Sequence, residues 1–126
     1  MMQYKTLLNH VLGLDFAQSC TRHWWMQRVT AVALIPLSFF AINLLDLMLH
    51  ARYQDAVVWL SSLLNSSLII AWLVCACYHI ALGLQVVIED YIPNEAVKTR
   101  AIWSVYLIFS LSSVAGVIAV LRIFFQ

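Results

Sequence analysis

The chain consists of three long apolar runs separated by short polar stretches. The runs cover residues 29–49, 66–88 and 101–125. Each is close to the ~20 residues that an α-helix needs to cross ~30 Å of hydrocarbon. Apolar and polar positions do not alternate along the runs, as they would in the strands of a transmembrane barrel. Because lipid offers no partners to backbone polar groups, the pattern predicts an all-α integral membrane protein with three transmembrane helices.

The segments that flank these runs carry further signals. Asn9, His10 and Asp15 interrupt the apolar positions of the first twenty residues. A secretory signal would instead have a compact apolar stretch before a small-residue cleavage site, so we expect a loop or a short interfacial helix there. Pro36 lies inside the first run and predicts a kink. Pro93 follows the second run and predicts that a new element starts after it.

The composition agrees with a membrane protein and excludes several other classes. Of the 126 residues, 63% are hydrophobic and 10% are charged, whereas soluble domains carry about 25% charged residues. The length allows one domain, covering residues 1–126. A net charge of +1 provides no attraction for a polyanion, so nucleic-acid binding has no support.

The distribution of Lys and Arg predicts the orientation in the membrane. Two of these residues, Arg52 and Arg122, lie on the side that holds the first loop and the C-terminus. The other five lie on the side of the N-terminus and the second loop; they are Lys5, Arg22, Arg28, Lys98 and Arg100. Positive residues favour the cytoplasmic side. We therefore expect the N-terminus in the cytoplasm.

One face of the second run carries candidate chemistry. At about 100° per residue, His79, Gly83, Val86 and Asp90 share a helical face, with Asp90 ~16 Å beyond His79 along the axis. Gly83 leaves space where a flat macrocycle or a neighbouring helix could approach closely. An imidazole deep in hydrocarbon requires a polar partner. The spacing leaves open whether that partner is haem iron or a hydrogen-bonding group on another helix.

Asp90 and Tyr91 lie together where the second run ends. A carboxylate beside a phenol could hydrogen-bond a quinone carbonyl and deliver protons to it. A solvated helix end with an interfacial tyrosine is the alternative that the residue types leave open.

Cys75 and Cys77 are two residues apart in the second run. On a helix they point about 200° apart, so they can neither form a disulfide nor share a metal ion. We expect both to pack as small apolar side chains.

Two segments together resemble a known family. Residues 23–37, HWWMQRVTAVALIPL, place an arginine just before a Thr-Ala apolar run, and residues 79–91, HIALGLQVVIEDY, place Gly four and Asp-Tyr eleven and twelve positions after His. This combination resembles the small membrane-anchor subunit of succinate dehydrogenase (respiratory complex II) of the haem-containing, cytochrome b type. Three spans with a cytoplasmic N-terminus agree with that family over the remaining length.

The resemblance implies roles for individual residues. His79 matches an axial ligand of haem b, whose other ligand would be a histidine of the larger anchor subunit. Tyr91 and Asp90 match residues that bind ubiquinone and supply its protons. Arg28 matches an arginine near the haem propionates and the quinone pocket. The residues of the segment 23–25 stay unassigned, although Trp24 lies one turn from Arg28 and could face the same pocket.

The resemblance also implies a function within a complex. The chain would dock the flavoprotein and the iron–sulfur subunit, which carry FAD and the clusters, in the inner membrane of a bacterium rather than of a mitochondrion. Ubiquinone would be the substrate, in the respiratory chain and the tricarboxylic acid cycle. The chain alone would catalyse nothing. Two alternatives are another cytochrome b anchor, such as that of a fumarate reductase, and a small membrane protein without redox function.

Overall fold

The chain is almost entirely helical. A computed structural model describes the backbone of residues 2–126 and the side chains of residues 21–126, and within these limits it contains no strand. Four helices follow one another: α1 (Met2–His50), α2 (Tyr53–Leu60), α3 (Leu63–Tyr91) and α4 (Glu95–Phe124).

Three helical segments are long and apolar enough to cross a membrane. They are Thr21–His50, Leu63–Tyr91 and Glu95–Phe124. The prediction of an all-α chain with three transmembrane helices is therefore confirmed. The N-terminal segment, expected as a loop or short interfacial helix, is helical and continues into the first span. That helix also runs through Pro36 without interruption.

The break between α3 and α4 follows from local chemistry. Ile92 is extended, with φ −104° and ψ 109°, the conformation that a following proline favours. The Asn94 side chain then accepts hydrogen bonds from the backbone N–H groups of Ala96 and Val97, at 3.0 and 3.3 Å. This N-cap stabilises the first turn, so α4 begins at Glu95, ahead of the predicted apolar run.

The short helix α2 was not predicted from the sequence. Its eight residues are too few to cross a membrane. The Asp55 carboxylate accepts a hydrogen bond from the Arg52 N–H at 3.2 Å, and Ala56 and Leu60 are buried. The helix therefore covers one end of the bundle.

Helix α3 lies between α1 and α4 and packs against both. Two contacts show that α1 and α3 are antiparallel: Thr30 meets His79, and further along α1 Ser38 meets Trp72, which precedes His79 on α3. On the other side of α3, the Tyr106 hydroxyl donates to Gln85 Oε1 at 2.7 Å. The start of span α1, the end of α3 and the start of α4 therefore lie at the same end of the bundle.

The two halves of the bundle differ in their packing. We call the half that contains Arg28, His79 and Tyr91 the polar half, and the half around Leu60 and Ile69 the apolar half. In the apolar half, Leu60, Ile69 and Val120 form a buried cluster. Partly buried apolar side chains surround it; they are Phe40, Ala41, Leu44, Trp59, Ile70 and Ile123.

Basic residues are more numerous at the polar end. Of the Lys and Arg residues with described side chains, two lie toward the apolar end, and the other four lie at the polar end: Arg22, Arg28, Lys98 and Arg100. Lys5, the fifth residue of the predicted cytoplasmic set, lies outside the described side chains. A cytoplasmic polar end stays a prediction.

Candidate functional site

A cavity of about 500 Å³ lies between α1 and α3 in the polar half. It combines most of the predicted stripe on α3 with residues of α1. Its lining consists of His23, Trp24, Gln27, Arg28, Ala31, His79, Gly83 and Val86. Three of the four residues predicted to share a face of α3 therefore line one cavity together with Arg28.

The face of α1 that meets His79 carries a polar stripe. His23, Gln27 and Thr30 follow one another at intervals of four and three residues, which places them on one side of a helix. Gln27 and Thr30 were missed as site residues in the sequence. The signal that could have revealed them is this spacing of polar side chains at the start of an apolar span.

His79 is half-buried and bonds to α1 through one ring nitrogen. Its Nδ1 lies 2.8 Å from the Thr30 hydroxyl oxygen. Among the described residues, none forms a hydrogen bond with the other nitrogen, Nε2. The alternative of a histidine hydrogen-bonded to another helix is thus realised at one nitrogen, Nδ1.

Gly83 leaves space that the chain itself does not fill. A Cβ built at this position would meet only Gln27 Nε2, at 3.6 Å, which is an ordinary van der Waals distance. Packing within the chain therefore does not require glycine here. The open space belongs to the cavity, one helical turn from His79.

Arg28 and Trp24 form one unit at the edge of the cavity. The guanidinium carbon lies 4.4 Å from the centre of the Trp24 ring, a cation–π geometry. Both residues line the cavity, in agreement with their spacing of one helical turn. Trp25 meets Trp24 edge to face, with ring centres 5.5 Å apart. Within residues 21–126 no carboxylate lies within ion-pair distance of Arg28.

Two polar atoms in the cavity wall are buried without a hydrogen-bond partner. Among the described residues, these are His23 Nε2 and Gln27 Oε1. An unsatisfied buried polar atom costs about 1–3 kcal/mol. Both residues line the cavity.

Asp90 and Tyr91 lie apart from this cavity. Both belong to the last turn of α3 and are exposed, with Tyr91 81% exposed. Neither lines the cavity, and the rise of the helix separates Asp90 from His79 by ~16 Å. The structure thus separates the predicted haem and quinone residues along α3.

The described residues contain no cluster of metal ligands around His79. Among them, no three His, Cys, Asp or Glu side chains come together. Cys75 and Cys77 are both free, as expected. The Cys75 thiol donates to the backbone carbonyl of Thr30 at 3.6 Å, so it packs α3 against α1.

Comparison with known proteins identifies the family. A family model described as succinate dehydrogenase/fumarate reductase transmembrane subunit matches residues 2–120. The succinate dehydrogenase hydrophobic membrane anchor subunit of Rickettsia bellii is 35% identical over 107 residues, covering 82% of this chain and 83% of that protein. The succinate dehydrogenase membrane anchor subunit of Reclinomonas americana is 31% identical over 96 residues, covering 72% and 76%.

No solved structure matches the chain at a significant level. The resemblance drawn from residues 23–37 and 79–91 is confirmed by the family match and by the relatives. The chain is apolar, has three helices that can span a membrane and contains a cavity lined by histidines. With the family match and these relatives, it belongs to the succinate dehydrogenase/fumarate reductase transmembrane subunits, as a succinate dehydrogenase membrane anchor.

Proposed function

We propose that this anchor shares a haem b with a larger anchor subunit and helps to form a ubiquinone-reduction site. It also docks the iron–sulfur subunit, which in turn carries the flavoprotein. The observation that carries the haem proposal is the cavity at His79, where one ring nitrogen bonds within the chain and the other has no partner among the described residues.

The residues around the cavity suit a haem. His79 would hold the haem iron, and Gly83 leaves room for a flat macrocycle beside it. Arg28 supplies a cation for a propionate, and the unpaired polar atoms of His23 and Gln27 supply hydrogen-bonding groups. When bound, the haem supplies one-electron transfer. The chain's own task is to hold it and to exclude water from its edge.

The end of α3 is the proposed contact with ubiquinone. The Tyr91 hydroxyl would donate a hydrogen bond to a quinone carbonyl oxygen, and the Asp90 carboxyl group would relay protons to it. Quinone reduction consumes two electrons and two protons. The electrons would come from the iron–sulfur subunit, and the protons would come from the cytoplasmic side. Partner subunits would cover these two exposed residues in the complex.

In this proposal the isolated chain has no catalytic activity of its own. Succinate oxidation requires FAD, which is carried by the flavoprotein. The orientation predicted from Lys and Arg places Asp90 and Tyr91 on the cytoplasmic face, where the soluble subunits would dock. The proposed location is the cytoplasmic membrane of a bacterium.

The haem proposal is tested with His79→Ala in the complex purified with its native partners. We expect a b-type band in the reduced-minus-oxidised spectrum of the unchanged complex and its complete loss in the variant. His50→Ala is the matched control, because His50 is exposed at the other end of the span and pairs with Asp46 at 3.0 Å. A band that persists without His79, or equal loss in both variants, would refute the ligand assignment.

The quinone proposal is tested with Tyr91→Phe. Loss of one hydrogen bond should lower quinone reductase activity by about tenfold, while succinate oxidation with a soluble dye stays unchanged. Tyr53→Phe is the control, because Tyr53 is also exposed but lies in α2 at the opposite end. Equal loss of the quinone and dye activities would instead indicate a role of Tyr91 in assembly.

A further inference from the structure

Thr30 is the only buried residue in the described part of α1, with 7% of its surface exposed. Its hydroxyl lies against His79 of α3. A buried hydroxyl in a membrane span requires partners for both its hydrogen and its lone pairs. The arrangement of those partners determines which nitrogen of His79 carries the ring proton.

Three polar atoms surround the Thr30 hydroxyl oxygen. The carbonyl oxygen of Met26 lies at 2.7 Å, that of Gln27 at 3.1 Å, and His79 Nδ1 at 2.8 Å. The carbonyl oxygens can only accept hydrogen bonds. An O···O distance of 2.7 Å is a hydrogen-bond distance, and without a hydrogen between them two oxygen atoms this close would repel. Because the Met26 carbonyl cannot donate, the hydroxyl hydrogen must point to it, as is common for threonine in helices.

With its hydrogen directed at Met26, the Thr30 oxygen can only accept from His79. Nδ1 must then carry the ring proton, and in a neutral imidazole this leaves a free lone pair on Nε2. We propose that Thr30 is a positioning residue that holds His79 in the tautomer with an open Nε2 and fixes the rotation of the ring. This inference rests on the proposed function, because Nε2 is the nitrogen that would bind haem iron.

Thr30 is itself held firmly against α3. Its branched Cβ restricts χ1, and its side chain bonds back to its own helix. Its backbone carbonyl accepts from the thiol of Cys75, which lies one turn before His79 on α3. Cys75 and His79, on successive turns of α3, therefore both contact Thr30. A partner fixed in this way can orient a metal-binding imidazole, as hydrogen bonds behind histidine ligands do in metal sites generally.

The tautomer can be measured without haem. In the full chain labelled with ¹⁵N-histidine, at alkaline pH where imidazole is neutral, we expect His79 to show a protonated Nδ1 and an unprotonated Nε2. His79→Gln identifies its signals, and Thr30→Val, which is similar in shape but has no hydroxyl, should remove the preference. An Nε2-protonated ring in the unchanged chain, or the same tautomer ratio in Thr30→Val, would overturn the proposal.

The consequence for haem is measured in the assembled complex. We expect Thr30→Val to weaken haem retention by about tenfold and to raise the haem midpoint potential, because an imidazole without this hydrogen bond stabilises ferric iron less. Thr30→Ser keeps the hydroxyl and should restore both. Equal retention and potential in all three proteins would contradict the inference. A b-type band that persists in His79→Ala would instead contradict the haem proposal itself. The tautomer measurement requires no haem, so it separates these two failures.

Discussion

The two halves of the bundle use buried space differently. The apolar half contains a groove of about 680 Å³, larger than the cavity at His79. Its lining is nearly all apolar, and its polar pair is satisfied internally, because Trp72 Nε1 donates to Ser38 Oγ at 3.0 Å. Two residues that line the cavity in the polar half, His23 and Gln27, each carry a buried polar atom that has no partner among the described residues. Polar groups without partners, rather than volume, distinguish a candidate cofactor site from a surface that hydrocarbon can cover.

The two glycines within residues 21–126 illustrate the same difference. A Cβ at Gly116, in the apolar half, would lie 2.7 Å from Leu73 Cδ1. Glycine there allows the chain's own side chains to pack closely. A Cβ at Gly83 would meet nothing closer than 3.6 Å. Packing between the described helices therefore requires glycine at position 116 but not at position 83.

The largest expected effect comes from filling the cavity with Gly83→Leu. A Cβ at this position would meet only the end of the Gln27 side chain, at 3.6 Å, so we expect the added side chain to extend into the cavity beside His79. We expect the complex to assemble and to lose its b-type band. Absorption spectroscopy of the purified complex measures this, with subunit content as the check on assembly.

Gly116→Leu is the matched control in the apolar half. The new side chain would collide with Leu73, and overpacking of this kind costs about 1–3 kcal/mol of stability. The haem band should remain. If Gly116→Leu removes the band as completely as Gly83→Leu does, the effect of Gly83→Leu cannot be assigned to the cavity.

A truncation in the apolar half should affect stability and leave the polar half intact. Leu60 is 2% exposed and attaches α2 to the rest of the bundle. Leu60→Ala should lower the free energy of unfolding by about 2–5 kcal/mol, measured by reversible unfolding in mixed detergents. The exposed Leu64, 65% exposed, is the control: Leu64→Ala should change stability little. A similar loss for both would show that burial in the apolar half does not determine stability.

The smallest expected effect concerns the polar pair between α1 and α3. Trp72→Phe removes the hydrogen bond to Ser38 but keeps an aromatic ring in place. Hydrogen bonds between membrane helices contribute about 0.6 kcal/mol on average, so the same unfolding measurement should show a loss of about that size. Ser38→Ala should cause a similar loss, and the double variant should lose little more than either one. Additive losses would mean that the two side chains do not act as a pair.

The fold could be predicted largely from the sequence, because hydrocarbon provides no hydrogen-bond partners and the backbone must form its hydrogen bonds internally. Apolar runs of about 20 residues must be helical in lipid, and the predicted number of three helices able to span a membrane is confirmed. The helix ends were less predictable, because they depend on local bonds such as the Asn94 cap. Helix α2 was missed because an eight-residue helix covered by tertiary packing has no span-length signal.

The candidate site was predicted only in part. Helical periodicity on α3 placed His79, Gly83 and Val86 on one face, and the structure confirms that they line one cavity. The same periodicity could not show that Asp90 lies outside that cavity, nor which residues of α1 lie opposite. Gln27 and Thr30 enter the site only through the packing of α1 against α3.

The sequence by itself determined that this chain is a helical membrane protein with a histidine inside its second span, since hydrophobic runs and their length are local properties. The resemblance to the family was likewise visible in two short segments. Only the tertiary structure decided which groups surround His79, because the pairing of residue 30 with residue 79 depends on the register of two antiparallel helices. That register brings the hydroxyl of Thr30 to Nδ1 and leaves Nε2 without a partner among the described residues.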